Sequence, residues 1–441
     1  MPGGSSAIAH LSRHLLVLVA ALFLRLALGD PDARCPDYVA DYAPLVWLHS
    51  EDPYKPSDLL AHLQHTTPEL NGEEIAHLPP LDLDNLEILN DYHPGEVALR
   101  SNDDPLSHPR WLAGEAPDES GRIHNSTPCV VILVEKSPQE LDAFYFYFYS
   151  YNEGPNITQV LEPMDRFVDG EKAALGIHFG NHVGDWEHNM VRFRDGKPVG
   201  IYYSQHVDGA GYDWDHPDVS KHNQRPIVYS ARGSHANYPT PGDQVHNAAL
   251  VDWCDEGQRW DPVLSAYFYR FEPETVTLVR LAPPSRVSTS EATSNLTSFF
   301  YFMGRWGDRQ FPDSDPRQMS IPRFGIKRFE SGPTGPRFKH LIRNTLYPNE
   351  VRKVSWLEWG IGVYMSWYPC CLKGWRVWVS ITVLTLLVVG SSVGLYFGVR
   401  YGLRKFRATR SDYRAVHEED ILLDDWDRED EAFFSSSDDS E

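Results

Sequence analysis

The run Phe144-Tyr145-Phe146-Tyr147-Phe148-Tyr149 alternates two aromatic residue types without a break. Successive side chains of an extended strand point to opposite faces, so this run predicts a strand with phenylalanine on one side and tyrosine on the other. The first face is dry. The second carries hydroxyls that need partners once they are buried. Working outward, residues 130–134, 198–203, 227–229 and 275–281 are short apolar runs of strand character. Asp195-Gly196 lies between Val191-Arg192-Phe193 and Val199-Gly200-Ile201, the signal of a two-residue hairpin turn. Amphipathic helical stretches are few, and no rhythm of strands alternating with helices appears. The expectation is a mainly β protein: a β-sandwich with long loops, in which residues 90–124, rich in Pro, Asp, Ser and Gly, form a surface excursion.

The chain has 441 residues, enough for two or three compact units. Its 41% hydrophobic and 23% charged residues, with 33 Pro and 31 Gly, exclude collagen, coiled coil and wholesale disorder. A net charge of −22 would be repelled by phosphate backbones, so nucleic acid is not expected as a partner.

Both ends of the chain bear on the compartment. Residues 1–29 have the form of a secretory signal peptide, with Arg13 and His14, an apolar run from Leu15 to Leu24, then Ala27-Leu28-Gly29. Arg25 interrupts the pattern and leaves an uncleaved anchor as the alternative. Residues 377–399 carry no charge and are long enough to cross a hydrocarbon core of about 30 Å as a helix. Trp375, Trp378 and Tyr396 lie near the two ends as interfacial belts do; a buried globular helix is the competing reading. Arg400, Arg404, Lys405, Arg407 and Arg410 follow at once, which by the positive-inside rule puts the C-terminus in the cytosol. The expected organisation is a signal peptide at 1–29, a lumenal β-rich domain at 30–374, a single type I span at 377–399 and a cytosolic acidic tail at 400–441 that is disordered.

Three glycosylation sequons, at Asn125, Asn156 and Asn295, all fall on the lumenal side of that topology. Five cysteines allow one or two disulfides; a bridge from Cys35 to Cys370 or Cys371 would join the ends of the lumenal domain, and palmitoylation competes for the last pair. In the tail, Tyr413-Arg414-Ala415-Val416 has the form of a tyrosine sorting signal. Glu418-Glu419-Asp420-Ile421-Leu422-Leu423 has the acidic dileucine form, so Tyr413, Val416, Glu418, Leu422 and Leu423 are the expected contacts to adaptor proteins.

The densest polar stretch is Asn181-His182-Val183-Gly184-Asp185-Trp186-Glu187-His188. On a strand, Asp185 and Glu187 share one face while Trp186 and His188 take the other. Two carboxylates one pleat apart, with His182 on the incoming loop, are a half-site for a divalent cation such as Ca²⁺, Mg²⁺, Mn²⁺ or Zn²⁺. A guanidinium, from Arg192 or Arg232, could relieve their repulsion instead, or the carboxylates could simply hydrogen-bond backbone and loop groups. In Ser230-Ala231-Arg232-Gly233-Ser234-His235, His235 is a further candidate ligand, with a plain Gly-bearing turn as the alternative. Ser234 and His235 lack the elbow and the orienting acid of a serine hydrolase. His206, Asp208, Asp213 and Asp215 could line the same cleft or form a solvated acidic loop.

Several longer stretches carry a resemblance. Tyr42-Ala43-Pro44-Leu45-Val46-Trp47-Leu48-His49 with Pro53-Tyr54 and Pro56-Ser57, then Gly184-Asp185-Trp186-Glu187 and Tyr229 to Ala236, appear in order. Arg305-Trp306-Gly307-Asp308, Pro312-Asp313-Ser314-Asp315-Pro316 and Gly332-Pro333-Thr334-Gly335-Pro336 complete the set. Together they resemble the vacuolar protein sorting-associated protein 62 family, which implies a role in delivery of proteins to the vacuole and no known reaction. A shorter similarity, at His182, Asp185, Trp186 and Glu187, is to the motif of necrosis- and ethylene-inducing-peptide-like cytolysins, β-sandwich proteins that bind a divalent cation at membranes. Asn181 and Gly184 depart from that motif. The similarity implies His182, Asp185 and Glu187 as cation ligands. The leading expectation is therefore a glycoprotein of the endosomal and vacuolar membrane whose lumenal domain recognises cargo, a glycan or a lipid head group. The alternatives are a metal-dependent lumenal hydrolase and a tethered membrane-damaging module.

Overall fold

The computed structural model of the chain describes residues 34–155, 178–206, 208–247, 250–287, 295–321, 326–348, 378–379 and 381–407. The expected signal peptide, Asn156, Cys370-Cys371 and the tail signals from Tyr413 to Leu423 lie outside the described residues.

The aromatic run sits in a long strand. In chain order the sandwich is built from β1 (Leu45–Leu48), β2 (Cys129–Ser137), β3 (Glu140–Asn152), β4 (His182–Arg194), β5 (Lys197–Gln205) and β6 (Asp208–Asp213). Then follow β7 (Lys221–His222), β8 (Arg225–Ser230), β9 (Asn237–Tyr238), β10 (Gln258–Trp260), β11 (Ala266–Glu272) and β12 (Thr277–Leu281). Seven strands form the larger sheet in the order β12-β11-β2-β3-β4-β5-β6. The smaller sheet runs β7-β8-β1-β10, with β9 beside β8. Pairing is antiparallel except between β11 and β2 and between β1 and β8. The β4–β5 hairpin closes on Asp195-Gly196, both at positive φ (50° and 72°), as a two-residue turn matched to the twist of its strands requires.

The tyrosine face of β3 looks into the space between the sheets. Tyr145, Tyr147 and Tyr149 pack there with Val46, Leu48, Val228 and Trp260 of the smaller sheet. Two of the three hydroxyls find partners as expected, Tyr145 donating to the Val39 carbonyl at 2.6 Å and Tyr147 to Asn189 Oδ1 at 2.9 Å, while the buried Tyr149 hydroxyl has no hydrogen-bond partner among the described residues. The phenylalanine face is covered by loops and short helical turns. Phe144, Phe146 and Phe148 pack with Leu59 and Leu63 of a helix capped by Asp58 (Leu59–Gln64), with Val97 and Leu99, and with Phe299, Phe302 and Trp306. Residues 90–124 are therefore more than a surface excursion. They hold a strand, Ala98–Ser101, and bury Val97 and Leu99 against the phenylalanine face, because a sheet face of this apolarity has to be shielded from water, while Leu112 packs with Tyr54, Tyr151 and Val183.

The second unit, residues 371–441, contains a 27-residue helix, Ile381–Arg407, long and apolar enough to cross a membrane. Thr382, Thr385 and Ser392 turn their hydroxyls back onto the carbonyls of Trp378, Ile381 and Val388, each at 2.7 Å, which removes the polar atoms from the helix surface. The expected span at 377–399 falls largely within this helix, and Arg400, Arg404, Lys405 and Arg407 occupy its last turns.

Candidate functional site

Three loops meet where β3 and β4 leave the centre of the larger sheet. Asp185 opposes Tyr149 and Glu187 opposes Tyr147 across the β3–β4 register, so both carboxylates point between the sheets. Trp186 and His188 point the other way, against Phe146. This is the division the strand period predicted. Gly184, at φ 70°, makes it possible: a Cβ there would run into the Trp306 carbonyl oxygen. A Cβ on Gly307 would likewise meet the Val183 carbonyl, so the Gly184 and Trp306-Gly307 stretches pack backbone against backbone.

His235 is the hub. Its ring is fully buried and lies flat on Tyr149, with centroids 3.7 Å apart and planes inclined by 3°. Nδ1–H donates to Asp185 Oδ2 at 3.0 Å, and Nε2 stands 3.6 Å from Asp52 Oδ2. Asp52 also accepts the Gly233 N–H at 2.9 Å, tying the 49–54 loop to the turn that presents His235. The non-glycine residue His235 sits at φ 56°, a left-handed conformation held by these contacts.

A second histidine–aspartate pair lies close by. His206 Nε2–H donates to Asp252 Oδ2 at 2.7 Å, and Asp252 also accepts from Ser234 Oγ and Tyr238 OH, each at 2.7 Å. Glu187 accepts from the Ser204 hydroxyl, which in turn accepts the His188 N–H at 2.9 Å.

The charges respond to this packing. Burial alone would raise the Asp185 carboxyl, but the His235 hydrogen bond and the His182 and His235 imidazoles outweigh it and hold its pKa low. Burial works against protonated His235 and His206, yet their carboxylate partners raise both. Glu187 is pushed up to about 7, first by burial and then by the neighbouring Asp185 charge. His182 is lowered by burial.

Neither guanidinium proposed from sequence neutralises the carboxylates. Arg192 lies on the opposite face of β4, where it grips Asp142 in a two-point contact at 2.7 and 2.8 Å and holds the carbonyls of Arg343, Asn344 and Thr345. Arg232 pairs with Glu153 at 3.4 Å. The imidazoles of His182, His235 and His206 and the Lys339 ammonium offset their charge instead.

The expected cation ligands are only partly brought together. Asp185 and His235 bond to each other, Glu187 to Ser204, and His182 Nδ1–H to the Gly184 carbonyl at 2.7 Å. Among the described residues, no group of three or more His, Cys, Asp or Glu side chains is placed to hold a metal ion. Ser234 and His235 do not form a nucleophile and base, since Ser234 donates to Asp252 and His235 turns to Asp185. Asp213 and Asp215 are exposed on the surface, and the side chain of Asp208 is outside the described residues. Asp52, Asp252 and Ser204 were not singled out from sequence, and Tyr149 was read only as part of the tyrosine face of its strand. Only Asp52 had a signal, its place between the quoted His49 and Pro53-Tyr54.

A family model described as vacuolar protein sorting-associated protein 62 matches residues 170–258. The putative vacuolar protein sorting-associated protein TDA6 of Saccharomyces cerevisiae is 35% identical over 346 residues, covering 70% of this chain and 68% of that one. Vacuolar protein sorting-associated protein 62 of the same yeast is 32% identical over 342 residues, covering 70% and 67%. The chain belongs to the vacuolar protein sorting-associated protein 62 family. The stretch matched by the family model contains Asp185, Glu187, Ser204, His206, Ser234, His235, Tyr238 and Asp252, which is the whole network except Asp52 and Tyr149.

Among solved structures, necrosis and ethylene inducing protein 2 from the causal agent of cocoa's witches' broom disease matches with a TM-score of 0.23 and 14% identity, over 48% of this chain and 73% of that one. The non-toxic HaNLP3 protein matches with a TM-score of 0.25 and 11% identity, over 54% and 78%. Overlap at these TM-scores is too partial to transfer a site.

Proposed function

We propose that this protein acts in delivery of proteins to the vacuole as a single-span type I membrane glycoprotein of the endosomal and vacuolar system. Its β-sandwich faces the lumen and recognises cargo, a glycan or a lipid head group, while the cytosolic tail engages adaptors through Tyr413, Val416, Glu418, Leu422 and Leu423. The observation that carries this reading is the apolar helix Ile381–Arg407, which follows the sandwich in the chain and ends in a cluster of basic residues. The names of the two yeast relatives supply the vacuolar destination. Asn125 and Asn295 are exposed, as acceptors of glycans would be.

The test is delivery itself. Cells lacking the protein should secrete a soluble vacuolar hydrolase, and the full-length chain should restore its retention. Normal delivery in its absence would overturn the proposal.

A second reading, a metal-dependent lumenal hydrolase, draws on Glu187, whose near-neutral pKa suits a proton-transfer group. It requires His182, Asp185, Glu187 and His235 to exchange their present partners for a shared cation. Loss of turnover in Glu187→Gln with the fold intact would favour it.

A further inference from the structure

A cleft of about 500 Å³ opens beside the Asp58-capped helix, away from the His235 network. That volume suits a small ligand. Its walls are fixed: the Lys55 N–H donates to the Ala113 carbonyl at 2.8 Å and the Glu115 N–H to the Pro56 carbonyl at 3.0 Å. Gly114 permits this approach at φ 64°, where a Cβ would collide with the Lys55 carbonyl.

Most polar groups in the floor are already matched. His62 Nε2–H donates to the Trp306 carbonyl at 3.1 Å, and because burial lowers its pKa to about 3 the ring is neutral, so Nδ1 accepts the Ser150 hydroxyl at 3.1 Å. One group is not matched. Ser126, 8% exposed, lines the cleft, and its buried Oγ has no hydrogen-bond partner among the described residues. A buried hydroxyl left alone costs stability, so its place in the cleft wall points to a ligand that supplies a polar atom.

The remaining surface narrows the chemistry. Trp111 and His65 form a parallel stack in the wall, centroids 5.0 Å apart and planes inclined by 4°, and Trp111 is held by its Nε1–H bond to Asp103 at 2.9 Å. The cleft is lined by Arg110, Glu115 and Asp58, and both Asp58 oxygens are taken by the Ala61 and Thr127 N–H groups at 2.8 Å, so the uncommitted charges are one of each sign, which favours a neutral ligand over an ion. A neutral ring with an apolar C–H face and peripheral hydroxyls fits aromatic wall and orphan serine together; a saccharide is such a ring. Asn125 itself stands at the mouth, exposed and at φ 55°, and opens the sequon Asn125-Ser126-Thr127.

We infer that the cleft seats the first sugars of an N-linked oligosaccharide carried by Asn125 of the same chain, with Ser126 Oγ hydrogen-bonded to it and the Trp111–His65 stack against it. Tethering at the rim makes docking intramolecular, so a weak intrinsic affinity suffices. The inference rests on the lumenal placement proposed above.

The test compares two sequons on one folded molecule. Full-length protein from a eukaryotic host is treated with an endoglycosidase without denaturation, and release at Asn125 and at the exposed Asn295 is followed by glycopeptide mass spectrometry. Both sites should be occupied, with release at Asn125 about tenfold slower, a factor that ~1.4 kcal/mol of docking provides. Trp111→Ala and Ser126→Ala, the second of which keeps the sequon and removes only the hydroxyl, should each bring Asn125 toward the Asn295 rate. Equal rates in the wild type, slow release that neither variant accelerates, or an unoccupied Asn125 beside an occupied Asn295 would each overturn the inference while leaving the lumenal reading standing. Sequons that are all unoccupied would overturn both.

Discussion

Glu187→Gln should stabilise the protein at neutral pH and leave it unchanged in acid. Glu187 is buried between the sheets, accepts from the Ser204 hydroxyl and shares its strand face with Asp185. These surroundings move its pKa from 4.5 to about 7. A raised carboxyl pKa means that the folded state holds the proton more tightly than the unfolded chain. Its stabilising contribution is therefore complete below the unfolded pKa of 4.5 and is lost as pH rises through about 7. At about 1.4 kcal/mol per pKa unit, the ionised carboxylate costs the fold roughly 3 kcal/mol on the alkaline side. Glutamine has nearly the same shape, can still accept from Ser204 through its carbonyl, and cannot ionise. The two proteins should match near pH 4.5 and diverge until, at about pH 8, the variant is the more stable by roughly 3 kcal/mol. Urea unfolding followed by the fluorescence of the buried Trp186, Trp260 and Trp306 reads this directly. Parallel pH profiles, or a variant less stable at the alkaline end, would refute the reasoning. If a cation held Glu187 ionised, the variant would instead be the weaker protein, and only until a chelator was added.

Other perturbations address the parts around the site. Gly184→Ala must place a Cβ against the Trp306 carbonyl at φ 70°, and a loss of about 3 kcal/mol or more, seen as a lowered thermal midpoint, is expected. Arg192→Met leaves the wholly buried Asp142 without its partner, for a loss of about 3–5 kcal/mol in urea unfolding, and the double variant with Asp142→Leu should recover much of it. Replacing both Leu422 and Leu423 by Ala should shift the full-length protein from vacuolar toward surface or Golgi membranes in fluorescence imaging, with the sandwich unchanged.

The parts of this structure governed by a local period were legible from the residues. Alternation in Phe144 to Tyr149 separated the two cores, and Asp185 and Glu187 could be assigned a common face because the period of a strand is two. The turn at Asp195-Gly196 was equally local. What the residues did not disclose is long-range partnership. Asp52 meets His235 across 183 positions of sequence and Asp252 meets His206 across 46, and no spacing rule links such pairs. Arg192 is a different case: the same period of two already sets it with Trp186 and His188, away from the carboxylates, and the register pairs it with Asp142. Residues 90–124 were misjudged because Pro, Asp, Ser and Gly mark where a chain turns and not what it covers. Here the chain covers the phenylalanine face with Val97 and Leu99, and buries Leu112 in a separate cluster with Tyr54 and Tyr151.

The central claim, a sandwich held in the lumen by one C-terminal span, is tested most directly by protease protection. Intact vesicles carrying the full-length protein are exposed to external protease with and without detergent, and fragments are followed with antibodies to the sandwich and to the tail. The account predicts that protease removes the tail epitope alone and leaves a protected fragment containing the sandwich and the helix Ile381–Arg407, degraded only when detergent opens the membrane. A tail that survives outside treatment, or a sandwich digested without detergent, would contradict it.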